Sequence, residues 1–121
     1  MEDFDLDAAG LRADSADLKA YIEVLARKLE DALPGQTEVR RRSKGFLSRE
    51  KVVDTIEVTL GEFRYTLDRG GRAARAKEVR GVVIKREELG VEAWVGGLAG
   101  ELRELAAGNA EARAALERLV G

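Results

Sequence analysis

The spacing of apolar residues changes twice along the chain, and these two changes constrain the fold more than any other feature of the sequence. From Leu18 to Leu33 the apolar residues recur every three or four positions, which is typical of one face of an α-helix. From Thr37 they alternate with polar residues, as in strands with one buried face, and from Val91 the helical spacing returns. Helical segments at both ends therefore have to cover one apolar face of a sheet formed by the middle.

Local signals set the expected boundaries. Asp14 or Ser15 suits the N-cap of the first helix, and Pro34-Gly35 ends it. Gly61-Glu62 predicts a two-residue type II′ turn between two strands. The predicted strands are "TEVRRRS", "VVDTIEVTL", "FRYTLD" and a fourth from Lys77 to Lys85, with Val82 and Ile84 facing inward.

The predicted class is α+β, with the order helix, four-stranded antiparallel meander, helix. Gly108-Asn109 interrupts the last helical stripe, so this region is either one kinked helix or two helices, the second capped by Asn109. We expect a single domain over residues 14–121, preceded by an acidic N-terminal arm over residues 1–13. Trp94 is expected to anchor the core. Gly96 and Gly100 predict the close approach of a neighbouring backbone to the last helical region, from the sheet, the first helix or another subunit.

Composition excludes several kinds of chemistry. The chain contains neither cysteine nor histidine, so disulfides, thiolate metal sites and a Ser-His-Asp triad cannot form. We therefore expect no metal, no cofactor and no assignable catalytic residue, although an enzyme built around Arg64, Tyr65 or Glu87 stays open. No stretch reaches the roughly 20 apolar residues of a membrane span. The acidic N-terminus lacks the cationic region of a secretory signal, which leads us to expect a cytoplasmic protein.

Charge is segregated along the chain, with an acidic segment at each end and a basic one between them. Residues 37–86 hold 14 basic and 7 acidic residues, although the whole chain has a net charge of −2. In a meander, the segments 40–51 and 69–77 form loops at one end of the sheet, where their cations would contact the phosphates of a nucleic acid or another polyanion while Phe46 stacks on a base. The candidate residues are Arg40, Arg41, Arg42, Lys44, Arg49, Lys51, Arg69, Arg72, Arg75 and Lys77.

A second interpretation treats these cations as solvated strand and loop residues that protect sheet edges from aggregation. The net negative charge favours it, since dedicated nucleic-acid binders are usually basic. The favoured function is then a non-enzymatic protein interaction module that forms a homodimer. Its expected interface is the apolar side of the last helical segment, which we expect to extend beyond the sheet and which comprises Ala112, Leu116 and Leu119.

Three segments carry a resemblance to known proteins: "DALPGQTEVRRRSKG", "VVDTIEVTLGEFRYTL" and "ARAALERLV". With these segments the chain resembles a family of small actinobacterial α+β proteins to which no activity is assigned. Usage rich in Arg and Ala and poor in Lys is similar to that of proteins from bacteria with GC-rich genomes. The resemblance implies a fold and no ligand, cofactor or site residue.

Overall fold

The computed structural model describes residues 15–120, with side chains from Ala16 to Leu119. The predicted acidic arm and the proposed cap at Asp14 or Ser15 therefore lie outside the residues and side chains described. Within this range the chain forms three helices and five strands. Their bounds are α1 Ser15–Ala32, β1 Thr37–Ser43, β2 Lys51–Leu60, β3 Phe63–Asp68, β4 Ala73–Val79, β5 Val82–Leu89, α2 Val91–Ala106 and α3 Ala110–Val120.

The sheet is an antiparallel meander in which each strand pairs with the next one along the chain. This confirms the α+β class and the meander, whereas the prediction of four strands is wrong because the sheet has five. Arg80 and Gly81 both have positive φ, 55° and 83°, as in a type I′ turn, and this turn divides the expected fourth strand into β4 and β5. The sequence did not predict this turn because Arg-Gly is not a typical pair for it, whereas Asn-Gly or Asp-Gly would have indicated a type I′ turn.

The turn between β2 and β3 is the one that the sequence predicts. Gly61 has a φ of 58° and Glu62 does not have a positive φ, which is the pattern of a type II′ turn. The turn sets the register that places Val58 opposite Tyr65 and Ile56 opposite Leu67. All four of these side chains are buried, so the predicted inner face of the hairpin is confirmed.

Helices α1 and α2 cover the inner face side by side. Helix α1 packs on β1 and β2, and α2 packs on β3, β4 and β5. The predicted stripe of α1 is buried, with Ile22, Leu25 and Leu29 fully inaccessible to solvent. Trp94 is also fully buried and meets the Tyr65 ring edge-on at a centroid distance of 6.0 Å, so its role as a core anchor is confirmed.

The last helical region consists of two helices rather than one kinked helix. Asn109 starts the second one, because its side-chain oxygen accepts a hydrogen bond of 3.1 Å from the backbone N–H of Ala112. Helix α3 then folds back against both α1 and α2. The carbonyl of Leu119 near its end accepts a hydrogen bond from Lys28 Nζ at 3.3 Å, which ties α3 to α1.

The glycines of α2 do not act as predicted. A Cβ atom built on Gly96 or on Gly100 would meet nothing within 4 Å, so no backbone of the described chain approaches either residue closely. Gly97 is the glycine that faces the sheet, where a Cβ would lie 3.7 Å from the Tyr65 ring. The expectation of tight packing at Gly96 and Gly100 is therefore wrong for the sheet and for α1, and packing against another subunit stays a prediction.

Candidate functional site

The two basic loops lie at the same end of the sheet. The meander places the loop after β1 (residues 44–50, the tip loop) and the loop after β3 (residues 69–72) at this end, as predicted. The start of α1 is also here, because a Cβ on Gly71 would come within 2.8 Å of Leu18. Arg75 and Lys77 do not belong to this end, because they lie within β4 rather than in a loop. Their assignment to a loop is therefore wrong.

Most of the predicted polyanion-binding cations have a carboxylate partner in the structure. The pairs are Arg40 with Glu38, Arg41 with Glu30, Arg42 with Asp54, Lys44 with Glu50, Arg69 with Glu23, Arg75 with Glu87 and Lys77 with Glu62. The other three candidates, Arg49, Lys51 and Arg72, are exposed and form no ion pair with another described residue. The cations available to a ligand are therefore fewer than the sequence suggests.

Two of the paired arginines hold α1 against the sheet. Arg41 donates two hydrogen bonds to the Glu30 carboxylate, at 3.0 and 2.8 Å, and these bonds lower the pKa of Glu30. Arg69 contacts Glu23 Oε2 at 3.2 Å, and the same oxygen accepts a hydrogen bond of 2.7 Å from the Val53 backbone N–H. These two cations therefore have a structural role, whereas the sequence led us to expect them to bind a ligand.

Arg75 belongs to a polar cluster between the sheet and α2. It contacts Glu87 at 2.6 Å, and its guanidinium lies 5.1 Å from the centroid of the Phe63 ring. The Tyr65 hydroxyl donates a hydrogen bond of 3.1 Å to the Gly97 carbonyl, and burial raises the pKa of this phenol. Burial also raises the pKa of the Glu101 carboxyl. Partners within the chain thus engage Tyr65, Arg75 and Glu87.

Three surface clefts of the described chain do not bring together Arg64, Tyr65 and Glu87, the residues considered for an enzyme. One of about 570 Å³ lies between α3 and the end of α1, and one of about 770 Å³ lies on the outer face of the sheet. A third, of about 350 Å³, is bordered by Arg64, whose side chain is held by Glu57 and Glu78, each at 3.0 Å. None of these three clefts is lined by Tyr65 or Glu87.

The tip loop presents two apolar side chains at its outermost point. The Ser48 N–H donates a hydrogen bond of 3.1 Å to the Gly45 carbonyl, so Phe46 and Leu47 occupy the two central positions of a β-turn. Their exposed fractions are 97% for Phe46 and 88% for Leu47. Polar residues or glycine usually fill such corners, so an aromatic and an aliphatic residue here are unusual.

A second apolar surface lies at the edge of the sheet formed by β5. Val82, Val83 and Ile84 are 64%, 53% and 59% exposed, so the prediction that Val82 and Ile84 face inward is wrong. The register shows the reason for Ile84, which is the extra residue of a β-bulge and so interrupts the alternation of faces along β5. Within residues 15–120, no strand pairs with the outer edge of β5.

The predicted interface on α3 is covered by the chain itself. Ala112 and Leu119 are buried and Leu116 packs against the same core, because α3 lies against α1 and α2 instead of extending beyond the sheet. These three residues therefore pack within the subunit instead of forming an exposed interface. The open strand edge of β5, which sequence reasoning missed, has the exposed apolar residues that were expected on α3.

Comparisons with protein-family models, with curated proteins and with solved structures find no match to this chain. No helix among residues 15–120 is long and apolar enough to cross a membrane. The same residues contain no cluster of three or more acidic side chains suited to hold a metal ion.

Proposed function

We propose that the protein is a non-enzymatic interaction module that forms a homodimer through the open edge of β5. The observation that carries this proposal is the run of three exposed aliphatic residues from Val82 to Ile84 on that edge. An open edge offers unpaired N–H and C=O groups to another strand, and proteins normally protect such edges with charge. The opposite edge, β1, is protected in this way by Arg40 and Arg42, whereas β5 exposes aliphatic side chains before its charged half begins.

The charges of β5 favour a second copy of the chain as the partner. The strand continues as Lys85-Arg86-Glu87-Glu88, with two cations followed by two anions. When two such strands pair antiparallel about Arg86, the two Arg86 side chains face each other across the axis, which disfavours this register. When they pair about Glu87, Arg86 lies directly opposite Glu88 of the partner subunit. This second register therefore brings opposite charges together twice, and the two Glu87 carboxylates that meet on the axis are each paired with Arg75 of their own subunit.

Arg86 and Glu88 are suited to such contacts because each has a small neighbour inside its own subunit. Their cross-strand neighbours on β4 are Ala76 and Ala74, and neither charge forms an ion pair with another described residue. Reversing either charge consequently removes no ion pair of the monomer. The pair can be used to test the dimer with little effect on the fold.

Sedimentation equilibrium or chromatography with light scattering measures the association directly. We expect a dimer for the natural chain and weaker association for Arg86→Glu and for Glu88→Arg, since each places like charges together at the two-fold axis. The double variant Arg86→Glu/Glu88→Arg restores opposite charges across the axis and should restore the dimer. A monomer at every accessible concentration, or a double variant as weak as the two single ones, would contradict the proposal.

The apolar part of the edge has its own test. Ile84→Lys should weaken the dimer, because burying an aliphatic side chain contributes about 1.5–3 kcal/mol per copy. The matched control is Val24→Lys, which changes an exposed aliphatic residue on α1 in the same way. Equal effects of the two substitutions would show that general solubility, rather than the β5 edge, governs association.

A second candidate function is the binding of a polyanion at the end of the sheet that carries the two basic loops. Arg49, Lys51 and Arg72 favour it, since they have no carboxylate partner within residues 15–120. Binding of this kind should weaken as salt rises, because cations that neutralise phosphates release counterions. Two measurements test this function: the salt dependence of binding by the natural chain, and the loss of binding in Arg49→Ser/Lys51→Ser.

A further inference from the structure

We infer that the tip loop binds a bilayer that carries anionic lipids by inserting Phe46 and Leu47 into it. This inference rests on the second candidate function and commits to one partner for that end of the molecule. It does not depend on the dimer. Three features of the tip loop support it: its shape, the position of its cations, and the kind of side chain at its corner.

The shape of the loop is held by its own hydrogen bonds. The Lys44 N–H donates to the Glu50 carbonyl at 2.8 Å and closes the loop at its base. The Glu50 N–H donates to the Ser48 hydroxyl at 3.0 Å, and the turn bond of Ser48 fixes the corner. Phe46 and Leu47 are therefore held outward by an internally bonded turn. The cost of ordering the loop on binding is correspondingly small.

Several cations lie on either side of the apolar corner in the chain. Lys44, Arg49 and Lys51 surround it against a single carboxylate, Glu50, and Arg72 adds charge from the neighbouring loop. An apolar corner with cations two to four residues away along the chain matches the layers of a bilayer, where anionic headgroups overlie the acyl chains. Long Lys and Arg side chains can reach these headgroups while the corner is buried.

The chemistry of the corner favours lipid over nucleic acid. Binding of single strands without sequence preference depends on aromatic side chains on which successive bases stack. The tip loop has one aromatic residue, and its neighbour Leu47 has no π face to offer a base. Both side chains gain equally from burial in acyl chains, which makes a bilayer the partner that uses the whole corner.

Vesicle flotation with the full chain tests the inference. We expect the protein to float with vesicles of phosphatidylcholine mixed with phosphatidylserine, and to bind vesicles of pure phosphatidylcholine about fivefold more weakly per contributing charge. Phe46→Ser/Leu47→Ser should lower the partition coefficient about tenfold or more, since it removes both inserted side chains. Val24→Ser is the control, because it removes an exposed aliphatic side chain that lies outside both the tip loop and β5.

The charge contribution is tested separately. Arg49→Ser/Lys51→Ser should weaken binding to the anionic vesicles and reduce its dependence on salt. The control variant Arg80→Ser/Arg103→Ser removes two exposed cations that lie outside the two basic loops. We expect it to bind the anionic vesicles within about twofold of the natural chain, because a charge acts mainly within a Debye length of the headgroups.

Insertion itself can be observed, because the chain has no cysteine and a single one can be labelled. An environment-sensitive fluorophore on Leu47→Cys should shift to the blue and gain intensity on anionic vesicles, while the same label on Val24→Cys should not respond. Absence of flotation by the natural chain would overturn the inference. So would flotation that Phe46→Ser/Leu47→Ser leaves unchanged, or tight binding of labelled single-stranded DNA by a chain that binds no vesicles. The last result would still support the polyanion function.

Discussion

Replacing glycine by alanine at two positions should change stability in opposite directions. Gly96 lies inside α2, where an added Cβ meets nothing within 4 Å. Alanine there should stabilise the fold by about 0.5–1 kcal/mol, the difference in helix propensity between the two residues. Gly71 has a φ of 91° and an added Cβ would lie 2.8 Å from Leu18, so alanine there should cost about 1–3 kcal/mol. The two substitutions should therefore differ by roughly 1.5–4 kcal/mol.

Urea unfolding followed by circular dichroism measures both changes, provided that the variants are compared at one protein concentration, because association adds to apparent stability. The midpoints should move in opposite directions with little change in the slope. A loss of stability in Gly96→Ala would refute the reasoning, since it would show that this side of α2 packs closely against something, such as a second subunit. A neutral Gly71→Ala would show that residues 69–72 relax without strain.

Three further results are expected. Glu101→Gln should stabilise the fold at neutral pH and do so less at acidic pH. Burial raises the pKa of the Glu101 carboxyl, so the stability that the protonated carboxyl contributes is lost as pH rises through its folded-state pKa. Urea unfolding measured across a range of pH checks this. Vesicle turbidity should increase with the natural chain and not with Arg86→Glu, because antiparallel pairing at β5 places the two tip loops of a dimer at opposite ends of one sheet. The variant Asp3→Asn/Asp5→Asn/Asp7→Asn, which neutralises acidic residues before α1, should float more strongly with anionic vesicles. The reason is that these residues precede the end of α1 that lies beside the basic loops, so their charge opposes that of the loops.

The parts of the fold that the sequence predicts correctly are those set by local periodicity and by turns with a familiar glycine. The buried stripe of α1, the inner face of the β2–β3 hairpin and the cap at Asn109 all follow from residues close together in the chain. The prediction failed at Arg80-Gly81 because a residue such as Arg seldom adopts positive φ, and only pairing with β4 holds it there. That single turn decided the number of strands.

The candidate surfaces were less predictable than the fold, because exposure and pairing depend on neighbours that are distant in the chain. The sequence singled out Arg41 and Arg69 as possible ligand contacts, yet Glu30 and Glu23 on α1 engage them. It marked Ala112 and Leu119 as an interface, yet they lie in the core because α3 turns back at Gly108-Asn109.

By itself the sequence determined the α+β class, the antiparallel meander between helical ends and the face of each early strand that meets the helices, since spacing along the chain fixes which side chains share a face. It also placed the two basic loops at one end of the sheet, because a meander alternates the direction of its strands. Only the tertiary structure decided which cations remain without a carboxylate partner among the described residues, and which apolar residues remain uncovered. The physical reason is that burial and ion pairing are properties of packing between elements. Val82 to Ile84 lie in solvent because no described helix covers the start of β5.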